Sequence, residues 1–156
     1  LSRLEQVSFN LGRFAAEVNS AEQSLQAAVK VVDRIRTLGA QGANGTASPE
    51  TRATLAAEVS EALSQLVGIS RTSVEGRYIF SGDADQQPPY EFDAAGDPPV
   101  SFYLGSAPTR QAEHPNGTTF SVALSAETIF DPTDPADSIF RAANDLRTAL
   151  LADDQE

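Results

Sequence analysis

The side chains able to move protons, hold metals or attack carbon are few and scattered. His114 is the single histidine and stands beside Pro115. A catalytic triad would need a nucleophile and an orienting acid, a metal site would need further ligands, and the surrounding sequence marks neither. It reads as an exposed loop histidine. Asp83-Ala84-Asp85-Gln86-Gln87 opens like a calcium loop. Such a loop requires glycine at its sixth position and glutamate at its twelfth, and Pro88 and Ala94 stand there instead. Asp153 and Asp154 form a carboxylate pair without the cleft residues that would make one an acid and the other a base. Phosphate loops and nucleophile elbows are absent. Asn44-Gly45-Thr46 and Asn116-Gly117-Thr118 both fit the N-glycosylation pattern. Asn-Gly also makes turns, and both copies fall where a turn is needed, so the turn reading is preferred. The expectation is a protein with no catalytic residue, no cofactor and no metal.

Charge and composition restrict the partners. Twenty-two acidic residues against eleven basic ones leave a net charge of −11. That field repels phosphate backbones and anionic lipid, which excludes nucleic acid and membrane surfaces as natural partners. No apolar run is long enough to span a bilayer. Cysteine is absent, so neither thiol chemistry nor a disulfide framework is available. Alanine supplies much of the apolar fraction, which suits thin helix–helix seams better than a thick core.

The elements follow from periodicity. Leu4, Val7, Leu11, Phe14, Val18, Ala21, Leu25, Ala28, Val32 and Ile35 recur at alternating spacings of three and four. This is the seam of a coiled coil, and it predicts one helix to about Gln41. Gly39 and Gly42 continue the stripe as small residues that admit a close neighbour. Gly42 to Pro49 combines a helix stop with a new start, Ser48 being the cap and Pro49 the first helical residue. A second, antiparallel helix is expected from Pro49 to about Glu75. Its seam is Leu55, Val59, Ala62, Leu66 and Ile69, widened by Leu63 and Val67, with Gly76 ending it.

Beyond Gly76 the pattern changes to β. Arg77 to Ser81 is β-prone, Val100, Phe102 and Leu104 alternate with Ser101 and Tyr103, and Asn116-Gly117 marks a hairpin between 109–113 and 118–124. A last amphipathic helix is expected from near Pro135, through Ile139, Ala143, Leu146 and Leu150, capped by Asp134 or Asp137. The fold class is thus mainly α with a small antiparallel β-element, an elongated coiled-coil-like rod. Residues 1–76 form its helical pair, 77–134 a β-rich excursion and 135–156 the returning helix. The stripe is already running at Leu1, and the last helix reaches Glu156 without a stop. The rod is therefore expected to continue past both.

Two motifs resemble a known family. The run Leu38 to Thr46 is similar to the helix-to-helix turn of bacterial flagellins, with Gln41, Asn44, Gly45 and Thr46 at matching positions. The run Ser73 to Gly82 resembles a stretch of the hook–filament junction proteins through Gly76, Arg77, Tyr78, Ile79, Phe80, Ser81 and Gly82. Pro89-Tyr90 stands near that family's Pro-Phe pair, and Ile139-Phe140 resembles the start of its returning helix. Flagellins usually carry Leu-Leu-Asp-Gly where Ile79 to Gly82 stand, which favours the junction type. The resemblance implies a flagellin-like rod domain lacking the terminal polymerisation helices, which in the family fold on incorporation. It implies an extracellular structural role in the bacterial flagellum and no enzyme. The implied partners are other flagellar axial proteins: flagellin, a neighbouring hook-associated protein and the chain's own copies. The piece itself is expected to be a soluble monomer, or at most a weak dimer, since without the terminal helices it keeps only small-residue and acidic side surfaces, and its charge adds repulsion at low salt. Two alternatives stand beside this: a flagellin filament subunit, and, from another class, a soluble coiled-coil binding module.

Overall fold

A computed structural model describes residues 3–114 and 116–152. Leu1, Pro115, the Asp153-Asp154 pair and the expected run to Glu156 lie outside the described residues. Helix α1 spans Arg3–Gly42, about 60 Å at the α-helical rise. Helix α2 spans Pro49–Ser70 and starts as the sequence dictates. Ser48 Oγ accepts the Thr51 N–H at 3.2 Å and Pro49 holds the first position. Hydrogen bonding from its backbone and from Ser48 holds the Glu50 carboxyl below its ordinary value.

Helix α2 stops five residues short of the expected Glu75. Thr72 Oγ1 donates to the Ile69 carbonyl at 2.7 Å, closing the last turn, and the chain leaves as a strand. Strand β1, Ser73–Val74, pairs with β2, Arg77–Tyr78, across a two-residue turn. Glu75 and Gly76 both have left-handed φ, 51° and 77°. Tight hairpins favour this turn because its twist matches the strands. Gly76 is thus a turn residue and not a helix cap.

The segment from Ile79 to Arg110 is mostly irregular. The strand expected at Val100–Leu104 is absent, and only an isolated bridge joins Phe92 to Val100. Prolines 88, 89, 98 and 99 lack the N–H that a regular ladder needs. The expected alternation slips as a result. Val100 is buried and Phe102 is 91% exposed. Tyr103 turns inward between Phe102 and Leu104. Strands β3, Gln111–Glu113, and β4, Thr119–Ser121, form the second hairpin. A short helix α3, Ala126–Phe130, follows without a clear sequence signal.

The returning helix α4 spans Ile139–Ala152. Pro135–Asp137 is instead a 3-10 turn capped by Asp134. The cap of α4 is neither Asp134 nor Asp137. Ser138 Oγ accepts the Arg141 N–H at 3.1 Å. Helix α2 packs against both α1 and α4. Leu63, Leu66, Val59 and Val67 are sealed between these helices, each worth about 1.5–3 kcal/mol of burial. Leu146 lies on Gly39 and Leu150 on Gly42. The two small residues therefore admit leucines of α4.

Candidate functional site

Two regions concentrate the motif and seam residues. The first is α1. Its row Ala21, Ala28 and Ile35 is buried, with Val7 and Phe14 half-buried on the same heptad position. The other row divides. Leu11, Leu25 and Val32 are half-buried, whereas Leu4 is 78% and Val18 45% exposed. Leu4 and Val18 were expected in a covered seam, and within this chain they are open. The reason is length. Ser24 Oγ bonds Thr72 Oγ1 at 2.8 Å, so α2 has already ended where α1 is only half traversed. Before Ser24, the cover comes from the β3–β4 hairpin, where Phe120 lies 5.5 Å from the Phe14 ring. A groove of about 420 Å³ remains there, lined by Val7, Leu11 and Phe14 opposite Arg110, Ala112 and Val122. In the other seams Leu55, Val59, Leu66 and Leu150 are buried, and Ile69, Ile139 and Leu146 half-buried.

The second region is built on the Gly76–Gly82 motif. Arg77 and Tyr78 are half-buried in the hairpin, and Ile79, Phe80, Ser81 and Gly82 are buried. Phe80 meets Phe130 edge-on at 6.3 Å, Phe130 stacks on Phe140 at 5.7 Å, and Tyr90 meets Phe140 at 4.9 Å. Tyr103 adds a fifth ring, 5.6 Å from Tyr90. Its hydroxyl donates to the Phe80 carbonyl at 3.2 Å. These rings tie the motif, the irregular loop and α3 to α4. Aromatic pairs at such separations add about 0.5–1.5 kcal/mol each beyond their buried area. Backbone bonds complete the junction: Gly82 N to Leu124 O, Ser106 N to Ser81 O, and Ala126 N to Phe80 O at 2.7 Å. Gly82 has φ +61°, and a Cβ there would overlap the Ser106 carbonyl. Only glycine fits this crossing.

Charged groups around the motif hold the fold together. Asp85 lies 3.6 Å from Arg77 and 3.5 Å from Arg110, joining the motif to the start of β3. Asp83 accepts from the Thr109 N–H and hydroxyl, and these bonds hold its carboxyl below the ordinary carboxylate value. The carboxylates that opened like a calcium loop are thus spent on protein partners. Among the described residues no group of acids and imidazoles is placed to hold a metal. Burial pushes the Tyr90 phenol far above its ordinary value, with the Asp131 and Glu127 charges adding to it. Tyr103 shifts the same way, chiefly by burial. His114 is exposed, and its Nδ1 accepts the Asn116 N–H at 3.3 Å. Gln41, Asn44, Gly45 and Thr46 are exposed at the α1–α2 turn, at the far end of α2 from the aromatic junction. The structure does not bring the two motifs together. Sequence reading missed Asp85 as an ion-pair hub, and it missed Tyr103 and Phe130 as ring partners, whose signal was aromatic identity in a Pro-rich loop and a short apolar run. Tyr90 was marked only through the Pro89-Tyr90 resemblance, without its place among the rings.

A long helix antiparallel to a second, closed by a third and carrying a β-excursion on an aromatic junction, defines a mainly α-helical fold with a small antiparallel β-element. The match to known families makes this specific. Residues 1–85 match the bacterial flagellin N-terminal helical region, and the chain belongs to that family. No curated protein sequence matches the chain. Among solved structures, FlgL of Bacillus cereus superposes with a TM-score of 0.74 at 22% identity, covering 97% of this chain and 69% of that one. The flagellar hook-associated protein 3 of Legionella pneumophila superposes at 0.67 with 25% identity, over 82% of this chain and 39% of that one. FlgL of Xanthomonas campestris gives 0.72 at 24% identity, over 81% and 40%. The chain thus spans about two fifths of the length of the latter two proteins.

Proposed function

We propose that the chain is the helical-rod portion of a hook–filament junction adaptor, an extracellular component of the bacterial flagellum that works by packing alone. The Gly76–Gly82 motif carries this reading. It is built as a hairpin and aromatic anchor that seats a β-excursion on a helical rod, and in sequence it follows the junction type and not the filament subunit. The family membership of residues 1–85 and the likeness to hook-associated proteins support it. The proposed partners are neighbouring axial proteins and further copies of the chain. Leu4 and Val18, the exposed seam residues on the amino-terminal half of α1, are the proposed contact positions. Burying the open Leu4 side chain in an assembly would contribute about 1.5–3 kcal/mol, and Val18, already more than half covered, about half as much.

The test places the full-length gene in a cell lacking its junction protein. Restored motility, with immunogold label confined to the hook–filament boundary, supports the reading. Label along the whole filament would identify a filament subunit instead. Leu4→Asp and Val18→Asp should leave the thermal stability of the chain nearly unchanged yet abolish complementation. Retained motility in both variants would remove these residues from the contact.

A further inference from the structure

The chain carries the same tripeptide twice, Asn44-Gly45-Thr46 and Asn116-Gly117-Thr118, in two different backbone settings. Asn-Gly is the pair in which a backbone nitrogen most easily reaches the preceding side-chain amide, because glycine places no Cβ in the way. We propose that Asn44 is a site of spontaneous covalent modification, deamidating in the folded protein, while the fold protects Asn116.

The reaction is a ring closure followed by hydrolysis. The Gly45 nitrogen loses its proton and attacks Asn44 Cγ. The bond from Cγ to the side-chain nitrogen breaks, and ammonia departs carrying that proton. Water then opens the cyclic imide at either carbonyl, leaving aspartate or isoaspartate at position 44. No oxidant or cofactor enters. The step needs a free nucleophilic N–H, a side chain able to swing onto it, and access to water.

Position 44 meets all three needs. Among the described residues, no hydrogen bond holds the Gly45 N–H or the Asn44 side chain. The turn's own bonds run from Asn44 N to Gln41 O and from Ala47 N to Asn44 O, and leave both reacting groups out. Asn44, Gly45 and Thr46 are all exposed, and nothing lies within 4 Å of where a Gly45 Cβ would stand.

Position 116 is held at both ends of the reaction. The Gly117 N–H donates to the His114 carbonyl at 2.8 Å. Asn116 Oδ1 accepts the Thr118 N–H at 3.0 Å and the Thr118 hydroxyl at 2.7 Å. Those two bonds polarise the amide carbonyl, which by itself favours attack. They also fix Cγ toward residue 118 and away from the nitrogen that must reach it. Ring closure there requires the turn to open first.

Conversion at 44 places a new negative charge in the α1–α2 turn, and the isoaspartate form adds a methylene to the backbone of that connection. The flagellin-like motif would then change with the age of the molecule, with no enzyme involved.

The two sites control for each other. The folded chain is incubated in mildly alkaline buffer, sampled over days and cleaved after arginine. Residues 37–52 carry Asn44 and residues 111–141 carry Asn116. Mass spectrometry then counts the acid form in each peptide. Conversion at 44 should exceed that at 116 on the order of tenfold, the factor expected if one or two net hydrogen bonds must open first. In concentrated urea the two rates should converge. Gly45→Ala, which the open space around residue 45 accommodates, should slow conversion at 44 severalfold. Equal rates in the folded chain would overturn the proposal. So would faster loss at 116, a ratio that persists in urea, or a Gly45→Ala variant that converts as fast as the parent.

Discussion

Replacing Phe80 with alanine tests the aromatic junction most directly. The side chain is fully buried, and it faces Phe130 edge-on at 6.3 Å. Removing a buried phenyl ring costs about 3–5 kcal/mol, the sum of lost transfer energy and the cavity left behind. Domains of this size are stable by about 5–15 kcal/mol, so the loss is a large share of the total. It should not be uniform. The amides that depend on the junction are Gly82, Ser106 and Ala126, whose acceptors are Leu124, Ser81 and Phe80 itself. Hydrogen exchange followed by mass spectrometry should show these opening first. The buried stretches Ala28–Leu38 and Leu55–Val67 should keep most of their protection. Urea unfolding followed by circular dichroism gives the magnitude. Phe102→Ala is the matched control, since that ring is 91% exposed and its loss should stay within about 0.5 kcal/mol. A Phe80→Ala cost under about 1 kcal/mol, or deprotection spread evenly over α1 and α2, would refute the anchoring argument.

Further outcomes are expected from single substitutions. Glu75 adopts φ 51° at the first position of a two-residue hairpin turn, where asparagine is strongly preferred. Glu75→Asn should therefore raise stability by about 0.5–1 kcal/mol in urea titration, and no gain would argue against the turn assignment. The Tyr90 hydroxyl is buried with no hydrogen-bond partner among the described residues. Tyr90→Phe should then leave the melting temperature unchanged or raise it, while a loss beyond about 1 kcal/mol would reveal a partner. Leu25→Asp puts a charge on the half-buried seam and should cost several kcal/mol, whereas Gln26→Asp on the exposed side should be mild. Similar melting temperatures for the two would dismiss the seam. Asp83 has a carboxyl pKa lowered from 3.8 by its bonds to Thr109. Its contribution is complete above that unperturbed value and is lost as pH falls through the lower folded value. Acid titration should loosen the Asp83–Thr109 tie only in that acidic window, and Asp83→Asn should blunt the transition.

What the amino-acid sequence determines by itself is the helical frame and the family. The three-and-four spacing from Leu4 to Ile35 is local, because side chains that far apart share one face of a single helix whatever packs against it. The Ser48-Pro49 start and the Asn116-Gly117 hairpin are equally local, set by which backbone groups need partners and which residues accept positive φ. The motif at Gly76–Gly82 is legible as a string of residues, though its mechanics are not. The tertiary structure decides that Thr72 ends α2 early, so that Glu75 and Gly76 turn a hairpin. It decides that prolines break the Val100–Leu104 strand and send Tyr103 inward in place of Phe102. It decides which seam residues are covered, because the cover depends on where α2 stops along α1 and on the hairpin that brings Phe120 to Phe14. It also brings together Phe80, Tyr90, Tyr103, Phe130 and Phe140, which are far apart in sequence. Periodicity records which face of an element is apolar. It carries no information about which distant element arrives to bury that face, and that information resides in the packing alone.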